Sequence, residues 1–151
     1  MRLQEFIDNN GLSAEIIQLN TPSSTVEESL VALGCDPEDI IKSIVVVTNT
    51  DDFYLVILQG DRKIKTRKLK KLLNVKDIRL ANPEQVKKQT GYDVGDVPPI
   101  SIPLPVIMDE LVINQQILYA GGGAPFANLK ITLSELLDCT HPLIADISIP
   151  I

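Results

Sequence analysis

Histidine and cysteine are almost missing from this chain. His141 stands alone, and Cys35 and Cys139 lie far apart with no CxxC spacing. That scarcity excludes a zinc site of the usual Cys and His ligands, and no metal or cofactor is expected. It also leaves no disulfide framework, so reduced thiols in a cytoplasmic protein are the expected state. No apolar run approaches the roughly 20 residues of a membrane span, and Met1-Arg2-Leu3-Gln4-Glu5 lacks the apolar core of a signal peptide. A membrane partner is not expected. There is no Gly-x-Ser-x-Gly elbow, no Walker loop, and no second histidine to build a dyad or triad around.

What is present suits a globular protein. The 151 residues, 44% of them hydrophobic, are read as one domain over 1–151 that buries about two-thirds of its unfolded surface. Net charge is −6, which argues against a general nucleic-acid binder and against DNA as a partner. The distribution is uneven. Arg62, Lys63, Lys65, Arg67, Lys68, Lys70, Lys71 and Lys76 follow one another with no acid between them, while the rest of the chain has 6 basic residues against all 20 acidic ones. Such a stretch is either a solvated face or a surface for a polyanion.

Periodicity gives a mixed string of elements. Leu3, Phe6 and Ile7 share a helix face that Asn10-Gly11 can end. Residues 14–19 read as extended. Ser24 with Glu27, and Thr25 with Glu28, form overlapping capping boxes for a helix that stops at Gly34. Asp36-Pro37 predicts a short helix over 38–41. Residues 44–47 and 53–58 predict a buried hairpin, and Leu69, Leu72 and Leu73 a helix that exposes lysine. A strand at 78–80 and a helix at 83–89 follow. Further strands are expected at 106–108, 111–113, 117–120 and 129–131. Thr132 with Glu135 caps a last helix, and 143–149 suits an edge strand. The expected fold class is α/β, in the sense of mixed α+β, with a curved mixed β-sheet flanked by helices.

Three features stand out as candidate chemistry. Thr90-Gly91-Tyr92-Asp93-Val94-Gly95-Asp96-Val97-Pro98-Pro99 leaves a helical pattern and resists every regular structure. Its glycines allow positive φ, and its prolines fix φ and remove donors, so the remaining N–H groups are held stiffly, as suits a carbonyl or phosphate oxygen. It is equally a rigid turn. Lys42, in Ile40-Ile41-Lys42-Ser43-Ile44-Val45, is either a snorkelling lysine or a point charge at a pocket edge. Gly121-Gly122-Gly123 ends an apolar run, leaving open space above the sheet or letting a ligand's backbone approach.

Taken together, these residues resemble the YbaK/ProX family, free-standing homologues of the editing domain inserted in bacterial prolyl-tRNA synthetases. The similarity runs from about Thr21 to Leu137. It includes Ser24-Thr25-Val26-Glu27-Glu28, Ile40-Ile41-Lys42-Ser43, Gly60-Asp61-Arg62, Leu69-Lys70-Lys71-Leu72-Leu73, Ala81-Asn82-Pro83-Glu84-Gln85-Val86, and both glycine elements. The resemblance implies hydrolysis of wrongly aminoacylated tRNA, chiefly tRNA for proline, on a barrel-like mixed sheet. It implies that the Gly95 backbone orients the aminoacyl carbonyl and that Lys42 anchors the terminal adenosine or its phosphate. Water aided by the tRNA 2′-hydroxyl would attack, or the substrate's own thiol when it is cysteine. Thr21, Ser24, Thr25, Pro98, Pro99, Gly121, Gly122 and Gly123 would line the substrate pocket. Arg62, Lys63, Lys65 and Lys68 would meet the acceptor stem, and a synthetase is a further partner to consider. Ala124-Pro125-Phe126-Ala127-Asn128 maps onto no one specificity. Two alternatives stay open: a non-catalytic module that binds the aminoacyl-tRNA end or a synthetase, and a small-molecule hydrolase using Cys35.

Overall fold

The β-rich runs at the chain's centre need partners on both edges, and the remaining strands supply them. A computed structural model describes residues 2–151. In chain order it contains α1 (Leu3–Asn9), β1 (Glu15–Gln18), α2 (Val26–Leu33), a 3₁₀ turn at Pro37–Asp39, β2 (Ile41–Thr48), β3 (Phe53–Gln59) and β4 (Arg62–Ile64). There follow α3 (Thr66–Leu73), β5 (Ile78–Leu80), α4 (Pro83–Thr90), β6 (Val106–Asp109), and a 3₁₀ turn at Glu110–Asn114. β7 (Ile117–Gly121), β8 (Ala127–Thr132), α5 (Leu133–Thr140), β9 (Leu143–Ala145) and β10 (Ser148–Pro150) complete it.

The mixed α+β class read from the sequence is the class observed. β2 and β3 form an antiparallel hairpin in a five-stranded sheet of order β5-β2-β3-β6-β9, with β3–β6 and β6–β9 parallel. A three-stranded antiparallel sheet of order β1-β8-β7 adjoins it through a bridge between Ile40 and Tyr119. β10 and β4 make a separate antiparallel pair. Alternation along the hairpin sends Val46, Val56 and Leu58 into one cluster with Leu69 of α3, while Ile41 and Ile57 join Leu118, Leu129 and Ile131 of the smaller sheet. Val45 and Leu55 meet Val86 of α4 and Val97, which pins the glycine–proline loop to the sheet. Among the described residues no helix is long and apolar enough to cross a membrane.

Four local expectations change. Residues 111–113 are not a strand, because the Asp109 carboxylate accepts from the Leu111 N–H and turns the chain into a 3₁₀ segment. The helix expected at 38–41 is a single 3₁₀ turn, and Ile41 already pairs with Gln59 in β2. Residues 143–149 are two strands broken at Asp146, because Ile147 turns inward and is fully buried. The basic stretch opens with β4, a strand that the charge pattern concealed.

Asp109 is the reason for that last break. It is 1% exposed, and its Oδ1 accepts from the backbone N–H groups of Ile147 at 3.0 Å and Ser148 at 3.1 Å. Ser148 in turn accepts from Arg62 at its hydroxyl (2.7 Å) and its carbonyl oxygen (3.2 Å), which locks β10 onto β4. Asp109→Ala strands two buried N–H donors and should destabilise the protein by about 3 kcal/mol in denaturant unfolding. A loss below about 1 kcal/mol would mean that the carboxylate does not organise this end of the chain.

Candidate functional site

Segments distant in sequence line a cavity of about 320 Å³. Ser23, Ser24 and Thr25 come from the turn before α2, Lys42 and Ser43 from the start of β2, and Val94, Gly95 and Val97 from the glycine–proline loop. Ala120 and Gly121 end β7, and Asn128 stands near the start of β8. The wall is largely apolar, with Leu80 and Val94, both more than half exposed, among the lining residues. A concave, mostly apolar space of this size with a few convergent polar groups is the form that small-ligand sites take.

Local sequence explains how the loop reaches that space. Asn82 and Gln85 exchange hydrogen bonds as a capping box, Pro83 occupies the first helical position, and α4 ends at Gly91. The chain then folds back so that Gly95, at φ +90°, lies on the main chain of Ser24. A β-carbon at Gly95 would stand 2.5 Å from the Ser24 carbonyl oxygen, so the turn before α2 and the loop meet with nothing between them. Nothing among the described residues accepts from the Gly95 N–H, and Gly95 itself is exposed.

Asp96 fastens the junction. Its Oδ1 accepts from Ser24 Oγ at 2.8 Å, its N–H donates to the Asp93 carbonyl at 3.0 Å, and its carbonyl accepts from the Gly123 N–H at 2.9 Å. One buried residue thus ties three segments of the cavity wall. The Gly121-Gly122-Gly123 run is accordingly not open. A β-carbon at Gly121 would stand 2.5 Å from the Val97 carbonyl oxygen, and one at Gly122 would meet the main chain of Ala127. The space over the glycines is filled by the protein's own backbone rather than left for a ligand.

Lys42 is the only charged residue among those that line the cavity. It stands opposite Leu58 in the hairpin and forms no ion pair within 4 Å among the described residues. Burial lowers its pKa from the ordinary lysine value, against the smaller upward pull of Asp61 and Glu27. The result is a half-buried cation whose charge is not consumed by a partner.

Of the residues singled out from the sequence, Lys42, Gly95, Ser24, Thr25 and Gly121 meet at this cavity. Thr21 is exposed and outside it. Pro98, Pro99 and Gly122 are buried behind it, and Gly123 packs on the ring of Tyr92. Arg62, Lys63, Lys65 and Lys68 are not in its wall. Arg62 is engaged by Ser148 and Lys68 by Asp146 at 2.8 Å, while Lys63 and Lys65 have no acidic partner among the described residues. Arg62 and Lys63 lie in β4 and Lys65 caps α3, the helix that carries Lys68 and packs against β5, whose Leu80 reaches the cavity. The sequence marks neither Ser23 nor Ser29, and it carries Asp96 and Asn128 only as members of the glycine–proline loop and of segment 124–128. A polar side chain at the head of an apolar strand was the available signal for Asn128. Cys35 lies in a separate depression with Gly34, Asp36, Asp39 and Tyr119. Burial, Asp39 and Asp36 push its thiol pKa up, the reverse of what a nucleophilic cysteine requires.

The two positive-φ glycines of the loop should respond differently to alanine. Gly91 has φ +84° and open space where a β-carbon would go, so Gly91→Ala should cost about 1 kcal/mol of stability through φ alone. Gly95→Ala adds a backbone clash and should cost at least about 2 kcal/mol. Equal losses in parallel denaturant titrations would show that the Gly95–Ser24 contact yields at no cost.

With this geometry in view, comparison with known proteins is informative. The family model for the aminoacyl-tRNA editing domain matches residues 20–139. The chain is 30% identical over 141 residues to the proline–tRNA ligase of Desulfotalea psychrophila, covering 93% of this chain and 24% of that one. It is 35% identical over 111 residues to the proline–tRNA ligase of Caldicellulosiruptor bescii, covering 73% and 19%. It therefore spans a quarter or less of the length of these relatives. Among solved structures, the hypothetical protein APE2540 superposes with a TM-score of 0.92 at 30% identity, covering 99% of this chain and 100% of that one. A protein provisionally described as a trans-editing enzyme for prolyl tRNA synthetase superposes at 0.88 and 30% identity, covering 98% and 95%. This chain belongs to the aminoacyl-tRNA editing domain family.

Proposed function

We propose that this protein is a trans-editing hydrolase that cleaves the aminoacyl ester of wrongly charged tRNA, in the first place tRNA for proline. The observation that carries it is the meeting, at one cavity, of an unpaired half-buried cation and an exposed N–H with no acceptor, in a chain of the editing-domain family. The relatives' names supply the prolyl assignment. An aminoacyl ester is already activated, so a positioned donor and a positioned nucleophile account for most of the required acceleration. The Gly95 N–H holds the carbonyl oxygen. Lys42 holds the terminal adenosine or its phosphate as a point charge. Water attacks the carbonyl carbon with help from the tRNA 2′-hydroxyl, the ester C–O bond breaks, and the departing ribose oxygen takes up a proton. With a cysteinyl ester, the substrate thiol replaces water. Ser24, Thr25 and Gly121 shape the amino-acid side, and Thr21, Pro98, Pro99, Gly122 and Gly123 support it from outside the wall. Arg62, Lys63, Lys65 and Lys68 receive the acceptor stem, and the setting of this chemistry is the cytoplasm.

The deciding experiment incubates the purified protein with alanyl-, cysteinyl- and seryl-tRNA for proline. Release of free amino acid supports the hydrolase; tight binding with no turnover of any ester would replace it with a binding module. Lys42→Met should lower deacylation by on the order of 10²-fold. Its effect on stability has the opposite sense. The folded pKa lies below the ordinary lysine value, so between the two the unfolded chain binds more protons and stability rises with pH; below the folded value the cost of burying the charge is present in full. At neutral pH, Lys42→Met should therefore melt no lower than the parent while losing activity. A matching fall in melting temperature and activity would make Lys42 a structural residue.

The basic surface is tested by salt. Lys63→Gln combined with Lys65→Gln removes two cations that have no protein partner, and should flatten the log–log salt dependence of tRNA affinity by about 1–2 units. Hydrolysis of a short aminoacylated mimic of the tRNA end should change little. An unchanged slope would return both lysines to a solvated face.

A further inference from the structure

Asn128 is 2% exposed and stands in the cavity wall. Its Nδ2 donates to the Ala120 carbonyl at 3.0 Å and to Ser29 Oγ at 3.3 Å. Ser29 Oγ gives its own proton to the Ser23 carbonyl at 3.0 Å, so towards Asn128 it can only accept. That fixes which way round the carboxamide lies. Its oxygen, Oδ1, is buried and has no hydrogen-bond partner. Buried acceptors are rarely left unmatched, and at a ligand cavity the missing donor is expected on the ligand. A second atom in the same wall, Ser43 Oγ, is also buried without a partner.

The chemistry of the missing donor follows from what surrounds it. Among the described residues no carboxylate lines the cavity, and the one charge there, Lys42, is positive. The α-amino group is common to every aminoacyl ester and cannot tell one from another; among side-chain donors, a second ammonium would gain no counter-charge beside Lys42, whereas a neutral hydroxyl can be desolvated at low cost once it is hydrogen-bonded. A thiol is a weak donor, and a methyl group is none. Ser23, Ser29, Ala120 and Gly121 keep this part of the wall small. We infer that Asn128 is a specificity residue whose amide oxygen accepts from a small side-chain hydroxyl, so that this site hydrolyses seryl esters in preference to alanyl esters. The inference rests on the editing reading proposed above and names its substrate class.

The test charges one tRNA for proline with serine or with alanine and compares kcat/KM. The unaltered protein should favour the seryl ester by about tenfold or more, the scale of one buried hydrogen bond. Asn128→Ala should lower seryl hydrolysis and bring the two esters within about threefold of each other. Because that variant removes two internal hydrogen bonds and can fail to fold, a second measurement uses the unaltered protein. It compares binding of non-hydrolysable 3′-seryl-amido and 3′-alanyl-amido analogues of adenosine while the Asn128 side-chain amide resonances are followed by NMR. The seryl analogue should bind about tenfold tighter and alone shift those resonances. Equal hydrolysis or equal binding of the two forms overturns the hydroxyl preference and leaves the editing reading standing. A seryl preference retained in folded Asn128→Ala, or achieved with no response of its resonances, overturns the role of Asn128. Hydrolysis of neither ester, with neither analogue bound, removes the editing reading as well.

Discussion

Main chain meets main chain at two places around the cavity, and the remainder of the site is arranged by those contacts. At Gly95 the glycine–proline loop lies on the carbonyl of Ser24; at Gly121 the end of β7 lies on the carbonyl of Val97. Neither contact leaves room for a β-carbon. Asp96 sits between them, taking a hydrogen bond from Ser24 and giving its carbonyl to Gly123. Three segments distant in sequence are thereby held at backbone distance, which is closer than side-chain packing allows. A donor carried by such a loop has little freedom to drift. This is the preorganisation that ester hydrolysis needs when no side chain acts as a strong base.

The electrostatic character of the site follows from a second economy. Lys42 is kept half-buried without a partnering carboxylate, with Asp61 and Glu27 near enough to moderate its desolvation but not to consume its charge. Such a residue detracts from the stability of the protein, because no paired carboxylate offsets its burial. Stability is supplied elsewhere, by the buried residues of the β2–β3 hairpin and by the cluster around Leu69.

Much of this was legible in the sequence because it is local. Thr25 and Glu28 form their capping box, Asn82 and Gln85 theirs, and the leucines of α3 face inward as their spacing requires. The neighbouring box, Ser24 with Glu27, has the same pattern and does not form. Its serine hydroxyl goes instead to Asp96, 72 residues away, and no window along the chain can report that competition. Residues 111–113 failed as a strand for a similar reason: an apolar triplet carries no mark of the carboxylate just before it that claims a backbone N–H. At the site, glycine identity signalled close approach correctly but not what approaches. The loop and the glycine run were legible separately, whereas their mutual contact was not. Asn128 was legible only as the end of segment 124–128, without a role, because its hydrogen bonds run to Ser29 and Ala120, on two other segments.

The parallel pairings of β6 carry a consequence for biosynthesis. β9 completes the edge of the five-stranded sheet beside β6, and β10 covers β4, although β4 ends at Ile64, 84 residues before Ser148, and β6 ends at Asp109, 34 residues before Leu143. Until residues 143–150 have been made, the nascent chain presents β6 with an unpaired edge and leaves Asp109 without the N–H groups of Ile147 and Ser148. An exposed parallel edge of this kind is a template for pairing with another chain. β6 and Asp109 therefore gain these partners only once residues 143–150 are made, in a step that delivers β9 and β10 together and is governed by one aspartate.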